Sequence, residues 1–293
     1  MTFSSPEIIF RETITGEIFF ALGFKRDGWA RRAFGWLFRK PAGHFGRIVA
    51  KMEAAIALQG LPGGARAVLP DFALTSTAAG QQHFTRQGPA LVVSNHVGAY
   101  DSLAIAAHIP RLDLTFMVSD VPFLRSLPEA RQHYIFVPTD TPGRMAALRA
   151  GIEHLNRGGA LLVYAHGEVE PDPAVLPGAH EAIADWSPSI EILLRKAPQT
   201  CLQLVIASGM LQPRYLNHLL TRLRRQPFHR QKLAETLQIL SQMVHPGRRP
   251  VSMRVSFARP LTIADLPEGR LMPGIIAAAR QLLAEHMRPN PSM

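Results

Sequence analysis

Residues 91–102 read LVVSNHVGAYDS. His96 follows an apolar run directly, Gly98 supplies a turn, and Asp101 stands five positions after the histidine. Histidine is the side chain best suited to moving protons near neutral pH, and a carboxylate bonded to its far nitrogen fixes the tautomer and raises its basicity. On a regular helix a separation of five leaves two side chains about 140° apart, so the pair meets only if the chain turns before the helix begins, which Gly98 permits. The chemical reading is a general base with its orienting carboxylate. The bland reading is a capping or packing histidine at a strand end, and the HxxxxD spacing alone does not choose between them.

A base must activate something, and the sequence offers no protein nucleophile beside it. It has no GxSxG elbow, HExxH zinc helix, CxxC pair or Walker phosphate loop. Proton abstraction from a substrate hydroxyl is the chemistry left for His96, and no metal is expected.

The elements that must position these residues are legible in the hydrophobic pattern. From about residue 89 onward, ALVVS, LTFMVS, YIFVP, ALLVYA, LQLVIAS and SMRVSF read as strands, alternating with the helical patterns LAIAAHI, MAALRAGIEHLN and IIAAARQLLAEHM. That alternation predicts an α/β fold, with a mainly parallel or mixed sheet flanked by helices. In such sheets ligands bind at the carboxyl ends of strands, which is where Asn95 and His96 fall. Thr141 as N-cap, Pro142 at N1 and Gly158-Gly159 as a stop bound the second helix. His108 reads as a helix C-terminal residue favoured by the dipole, Cys201 as a small packing residue, and the last helix's stripe as core.

Residues 1–70 differ, with helical pieces broken by KPAGHFG and QGLPGGARAVLP. They are read as an N-terminal helical arm feeding an α/β domain over residues 71–293, with DFALTST as a strand near the junction. Within the arm, Trp29, Ala33, Phe34, Trp36 and Leu37 gather on one side of a helical wheel, opposite Arg31, Arg32 and Arg39. This is the pattern of a helix in a membrane interface, and equally of a helix packed on the domain with a solvated basic face; the two tryptophans favour the membrane.

The 293-residue chain is 47% hydrophobic and 18% charged, enough apolar content for a large core and against disorder. Its formal charge of +10 points to an anionic partner without choosing among nucleic acid, a membrane surface and an acidic small molecule. A second basic stretch, RLRRQPFHRQK from Arg222 to Lys232, reads as a solvated connection; it lacks the interleaved aromatics of a nucleic-acid module, so no nucleic acid is expected. Cys201 is the single cysteine and excludes an internal disulfide, which makes a reducing cytosolic setting the default. The amino terminus lacks a secretory signal pattern, and its longest apolar run is far short of the roughly 20 residues a spanning helix needs.

SNHVGAYDS resembles the NHxxxxD motif of the glycerolipid acyltransferase family, which includes the 1-acylglycerol-3-phosphate acyltransferases. YIFVPTD resembles that family's second motif, GGALLVYAHGEVEPDPAVLPGAHEAI its third, and LQLVIAS stands where the fourth lies. The resemblance covers roughly residues 70 to 265 in the family's order. It implies that His96 takes the proton from an acceptor hydroxyl, that Asp101 orients it, and that the oxygen attacks an acyl thioester of coenzyme A or acyl carrier protein. The donor is then a substrate and no cofactor is implied. Amides near the helix start after Gly98 are candidates for the oxyanion site. The implied setting is cytoplasmic, peripheral on the inner face of the membrane, with an anionic membrane surface and a lysolipid acceptor as partners.

Two departures fall on acceptor recognition. Where glycerophosphate-specific members carry a phosphate-gripping arginine, this chain has Thr139; where they carry Pro-Glu-Gly, it has Ala165-His166-Gly167, with Glu168 next. Threonine cannot replace a guanidinium's charge. Arg144 is a candidate replacement, Glu168 with Gly167 a candidate acceptor contact, and His166 a second proton carrier or a loop residue. A lyso-glycolipid or aminolipid acceptor, or a catalytically silent membrane-binding protein, are the alternatives.

Overall fold

The computed structural model describes residues 39–288, apart from residues 73, 225, 246 and 249. The tryptophan- and arginine-rich helix predicted around Trp29 and Trp36 lies outside the described residues.

Seven strands form one sheet: β1 (Leu74–Ala79), β2 (Ala90–Ser94), β3 (Leu114–Ser119), β4 (Tyr134–Val137), β5 (Ala160–Tyr164), β6 (Cys201–Ser208) and β7 (Val251–Phe257), in the order β1-β7-β6-β2-β5-β3-β4. Every pairing is parallel except β6 with β7. The main helices are α1 (Arg39–Val68), α2 (Asp101–Ala106), α3 (Thr141–Asn156), α4 (Ser189–Lys196), α5 (Pro227–Val244) and α6 (Leu271–His286). The sheet is thus α/β and mixed, as the alternation predicts.

The central strands are continuous apolar runs because both their faces are covered. Ala90 and Val92 of β2 face one core with α1 and α2, while Leu91 and Val93 face a second core with α3, α4 and α6. This is the period-2 alternation of a strand applied to two buried faces. Ile48, Ile56, Leu61 and Val68 of α1 belong to the first core, so the described part of the arm packs as one body with the sheet. The stripe of α6 is core as read, with Ile275, Ala279, Leu282 and Leu283 buried.

Two boundaries differ from expectation. The N-cap of α3 is Asp140, whose carboxylate accepts the Gly143 N–H at 2.8 Å, so Thr141 is the first helical residue; an acidic side chain at this position also suits the positive helix end. The helix after His96 ends at Ala106, and His108 bonds Ser76 of β1 at 2.8 Å instead of closing a helix.

The strand order places the site. The chain leaves β2 for β3 on one side of the sheet, whereas it leaves β5 for β6 by crossing to the other side of β2. β2 and β5 are hydrogen-bonded neighbours. Their carboxyl ends therefore flank the point where the winding reverses, which is where a crevice opens in such sheets.

Candidate active site

His96 follows the end of β2, in the loop that leads into α2. Its Nδ1 lies 2.8 Å from Asp101 Oδ2, and the same oxygen accepts the Val97 N–H at 2.6 Å and the Gly98 N–H at 3.1 Å. Asp101 Oδ1 accepts the Tyr164 hydroxyl at 2.5 Å. Two amides and a hydroxyl thus point at a fully buried carboxylate, and the imidazole completes the set by donating from Nδ1. That fixes Nε2 as the nitrogen with a lone pair in the neutral ring, and no described residue bonds to it.

The loop takes this shape for local reasons. Gly98 has φ +151°, and a Cβ there would sit 2.5 Å from Met210 Sδ and 2.7 Å from a carboxylate oxygen of Glu235. Asn95 is buried and stitches β2 to β6, donating to the Ala207 carbonyl at 3.0 Å and accepting the Ala207 N–H at 2.8 Å. The His96 ring stacks on Tyr164, with centroids 4.1 Å apart and planes 23° from parallel. Tyr164 ends β5 in register with Ser94, so the strand pairing itself brings ring and imidazole together.

Three further carboxylates support the loop. Glu170 Oε2 accepts the His96 N–H at 2.8 Å and its Oε1 accepts the Trp186 indole N–H at 2.9 Å, while the His96 carbonyl accepts the Glu170 N–H at 2.6 Å. Asp172 accepts the Gly209 and Leu211 amides at 2.9 and 3.0 Å, tying the loop after β5 to the loop after β6. Glu235, from α5, accepts the Ala99 N–H, and the Tyr100 hydroxyl beside it is buried without a partner among the described residues. Gln231, one turn earlier on α5, donates to the Glu170 carbonyl at 2.9 Å.

Burial works against a charged His96, but the Asp101 charge and hydrogen bond, with Glu235 and Glu170 adding, outweigh it and raise its pKa above 6.5. Burial raises Glu170 and Asp172 as well, opposed by the donors each accepts. Glu235 is pushed up to about 7, chiefly by burial, with the Ala99 amide pulling the other way.

A stability test follows. With a folded pKa of about 7 against 4.5 unfolded, Glu235 costs nothing below pH 4.5, costs progressively more between those values, and costs a constant amount above. Glu235→Gln keeps an acceptor for Ala99 and loses the buried charge. We expect it to gain on the wild type across that window, by up to about 3 kcal/mol at pH 8, read as the difference between the two denaturation curves. Equal pH dependence in the two proteins would place the ionisation elsewhere.

The other residues singled out in sequence are placed as follows. Gly167 and Glu168 are exposed, Gly167 at φ +82° with open space around it. The buried acid is Glu170, two residues on. His166 is half-buried close to Glu170, with Nδ1 unpartnered among the described residues. Thr139 and Arg144 are exposed beyond β4, an edge strand three positions from β2, about 14 Å across the sheet at roughly 4.8 Å per strand. The Arg144 guanidinium donates to the Thr141 hydroxyl of its own helix at 3.4 Å. The amides of Val97, Gly98 and Ala99, near the helix start, all donate to carboxylates of the protein.

The stretch Arg222–Lys232, read as a solvated connection, instead runs into α5 and carries buried Gln231 to the site. Cys201 begins β6 opposite Ala90, at the far edge of the sheet from His96. Among the described residues no cluster of ligating side chains could hold a metal ion, and no helix is long and apolar enough to cross a membrane.

No family model and no curated protein matches the chain. Among solved structures, the 1-acyl-sn-glycerophosphate (LPA) acyltransferase PlsC from Thermotoga maritima is similar over 97% of this chain and 99% of that one, at 13% identity and a TM-score of 0.47.

Proposed function

We propose that the protein is an acyltransferase that moves a fatty acyl group from an acyl thioester to a hydroxyl of a lysophospholipid or related polar lipid. The observation that carries this reading is the state of His96. It is oriented through Nδ1 by a buried aspartate, stands at the winding-reversal point, and among the described residues has no partner on Nε2 and no serine or cysteine bonded to it. The order of the four motif-like segments supports the same reading.

In this mechanism Nε2 takes the hydroxyl proton as the acceptor oxygen attacks the thioester carbonyl. The C–O bond forms, Asp101 stabilises the imidazolium, and collapse of the tetrahedral adduct breaks the C–S bond, with the proton passing to the departing thiolate. A thioester is already activated, so no covalent enzyme intermediate is required. With a raised His96 pKa, turnover rises with pH through a midpoint above 6.5 as Nε2 becomes free. Thr139 in place of an arginine favours an acceptor gripped by something other than a single guanidinium at that position.

The test is thiol release from long-chain acyl-coenzyme A and from acyl carrier protein thioesters, with lysophosphatidic acid and a mixed lysolipid extract as separate acceptors. Acceptor-dependent release supports the proposal, and the productive acceptor reports what Thr139 does to specificity. Release that ignores the acceptor would make the protein a thioesterase. No release from either donor would favour a lipid-binding protein without this chemistry.

A further inference from the structure

We infer that the segment following β6 is a membrane-docking element, and that its occupant is the interface of an anionic phospholipid bilayer. The short helix Leu219–Arg222 packs the wrong way round for a soluble protein: Thr221 is completely buried, while Leu219 is 73%, Leu220 44% and Leu223 71% exposed. Leu219 and Leu223, one turn apart, share a face. Single exposed leucines are ordinary, but three within five residues on a helix that buries its threonine form an apolar patch in search of an apolar environment.

Charge selects the environment. From Gly209 to Ala234 the sequence contains no aspartate or glutamate, while it contains Arg214, Arg222, Arg224, Arg225, Arg230 and Lys232. Arg222, between Leu220 and Leu223 in the chain, is exposed, and so is Arg214, whose guanidinium lies over the Tyr215 ring. Exposed leucines in a basic segment free of carboxylates match a lipid interface, where leucines enter the acyl boundary and guanidinium groups meet phosphates. Size argues for lipid over a protein partner. Three leucines cover far less than the roughly 800 Å² that a stable protein interface buries on each side. A bilayer accepts side chains one at a time.

The segment leaves the carboxyl end of β6, a strand parallel to β2, so it emerges at the same edge of the sheet as His96. Tyr215 and Leu216 pack with Val175 and Leu176 of the loop that carries Glu170 and Asp172, and the chain continues from Leu223 into α5, which supplies Gln231 and Glu235. Docking here presents the site's edge of the sheet to lipid. The inference stands on exposure and charge and does not require the proposed chemistry.

The test uses the full chain and vesicles of equal parts phosphatidylglycerol and phosphatidylcholine, against pure phosphatidylcholine, at 0.15 M salt. Leu219→Glu with Leu223→Glu is expected to lower partitioning onto the anionic vesicles roughly tenfold or more. Leu58→Glu with Leu112→Glu, two leucines exposed at 82% and 67%, makes the same charge change elsewhere and is expected to bind nearly as the wild type. An environment-sensitive dye on Leu219→Cys, in a Cys201→Ala background, is expected to shift to the blue on anionic vesicles. Absence of vesicle binding, equal loss in both glutamate pairs, or binding without a dye shift would each overturn the proposal. A dye shift with an acidic soluble protein and none with vesicles would overturn it in favour of a protein partner.

Discussion

Replacing His96 by alanine is expected to reduce acceptor-dependent thiol release by roughly 10²- to 10⁴-fold while leaving the fold intact. The ring is a quarter exposed, and its removal leaves Asp101 with the Val97 and Gly98 amides and the Tyr164 hydroxyl. Asp101→Asn tests the second half of the dyad. An asparagine can keep its carbonyl where Oδ2 meets three donors and turn its amide toward Tyr164, whose hydroxyl accepts as readily as it donates. The fold should therefore survive, while the imidazolium formed during the reaction loses its counter-charge. A loss comparable to that of His96→Ala is expected, together with a His96 titration midpoint below the wild-type value, because burial remains and the opposing carboxylate is gone. The midpoint is read by the imidazole proton shifts in NMR. An Asp101→Asn protein that keeps half of its turnover would sink the orienting role.

The elements behind this prediction were legible in sequence to different depths. The strands were, because a parallel strand buried on both faces is an unbroken apolar run, and ALVVS, LTFMVS and LQLVIAS each became a strand within a residue of the pattern. The pairing of His96 with Asp101 was legible because it is local and turns on one glycine. The rest of the site was not, because tertiary packing supplies it: Glu170 reaches His96 across 74 residues of sequence and Glu235 reaches Ala99 across 136. In GEVEPDP, Glu168, Glu170 and Asp172 alternate, so any extended reading gives all three the same face, and nothing in the spacing says that the first is exposed and the other two buried. Glu235 follows, within thirteen residues, the four arginines and one lysine of the stretch Arg222–Lys232, where a solvated face is the usual reading. One signal was available for Tyr164. A hydroxyl-bearing aromatic closing a buried strand needs a partner at that edge, and the partner is the aspartate after the neighbouring strand.

Glu170 should prove as unforgiving to an amide as Asp101 is tolerant of one. Its two oxygens accept from the His96 backbone N–H and the Trp186 indole N–H, and neither group has any way to become an acceptor. In Glu170→Gln one oxygen is replaced by an NH₂ group, so whichever way the side chain turns, a buried N–H faces another donor. An unsatisfied buried donor costs about 1–3 kcal/mol, and the opposed pair adds to it, which makes about 3 kcal/mol a reasonable expectation and a fall of roughly 6–12 °C in melting temperature its readout. Glu168→Gln, on an exposed neighbour, should stay within about 0.5 kcal/mol of the wild type. Activity separates the clasp from mere stability. The Glu170 N–H bond to the His96 carbonyl closes a two-way link between the loop after β5 and the residue carrying the base, so disturbing it moves His96 itself. Turnover of Glu170→Gln, measured 20 °C below its own melting temperature, is expected to fall at least tenfold, about 1.4 kcal/mol of transition-state stabilisation. Wild-type turnover in a destabilised Glu170→Gln protein would make Glu170 a purely structural carboxylate, and an unchanged melting temperature would show that the loop finds another acceptor.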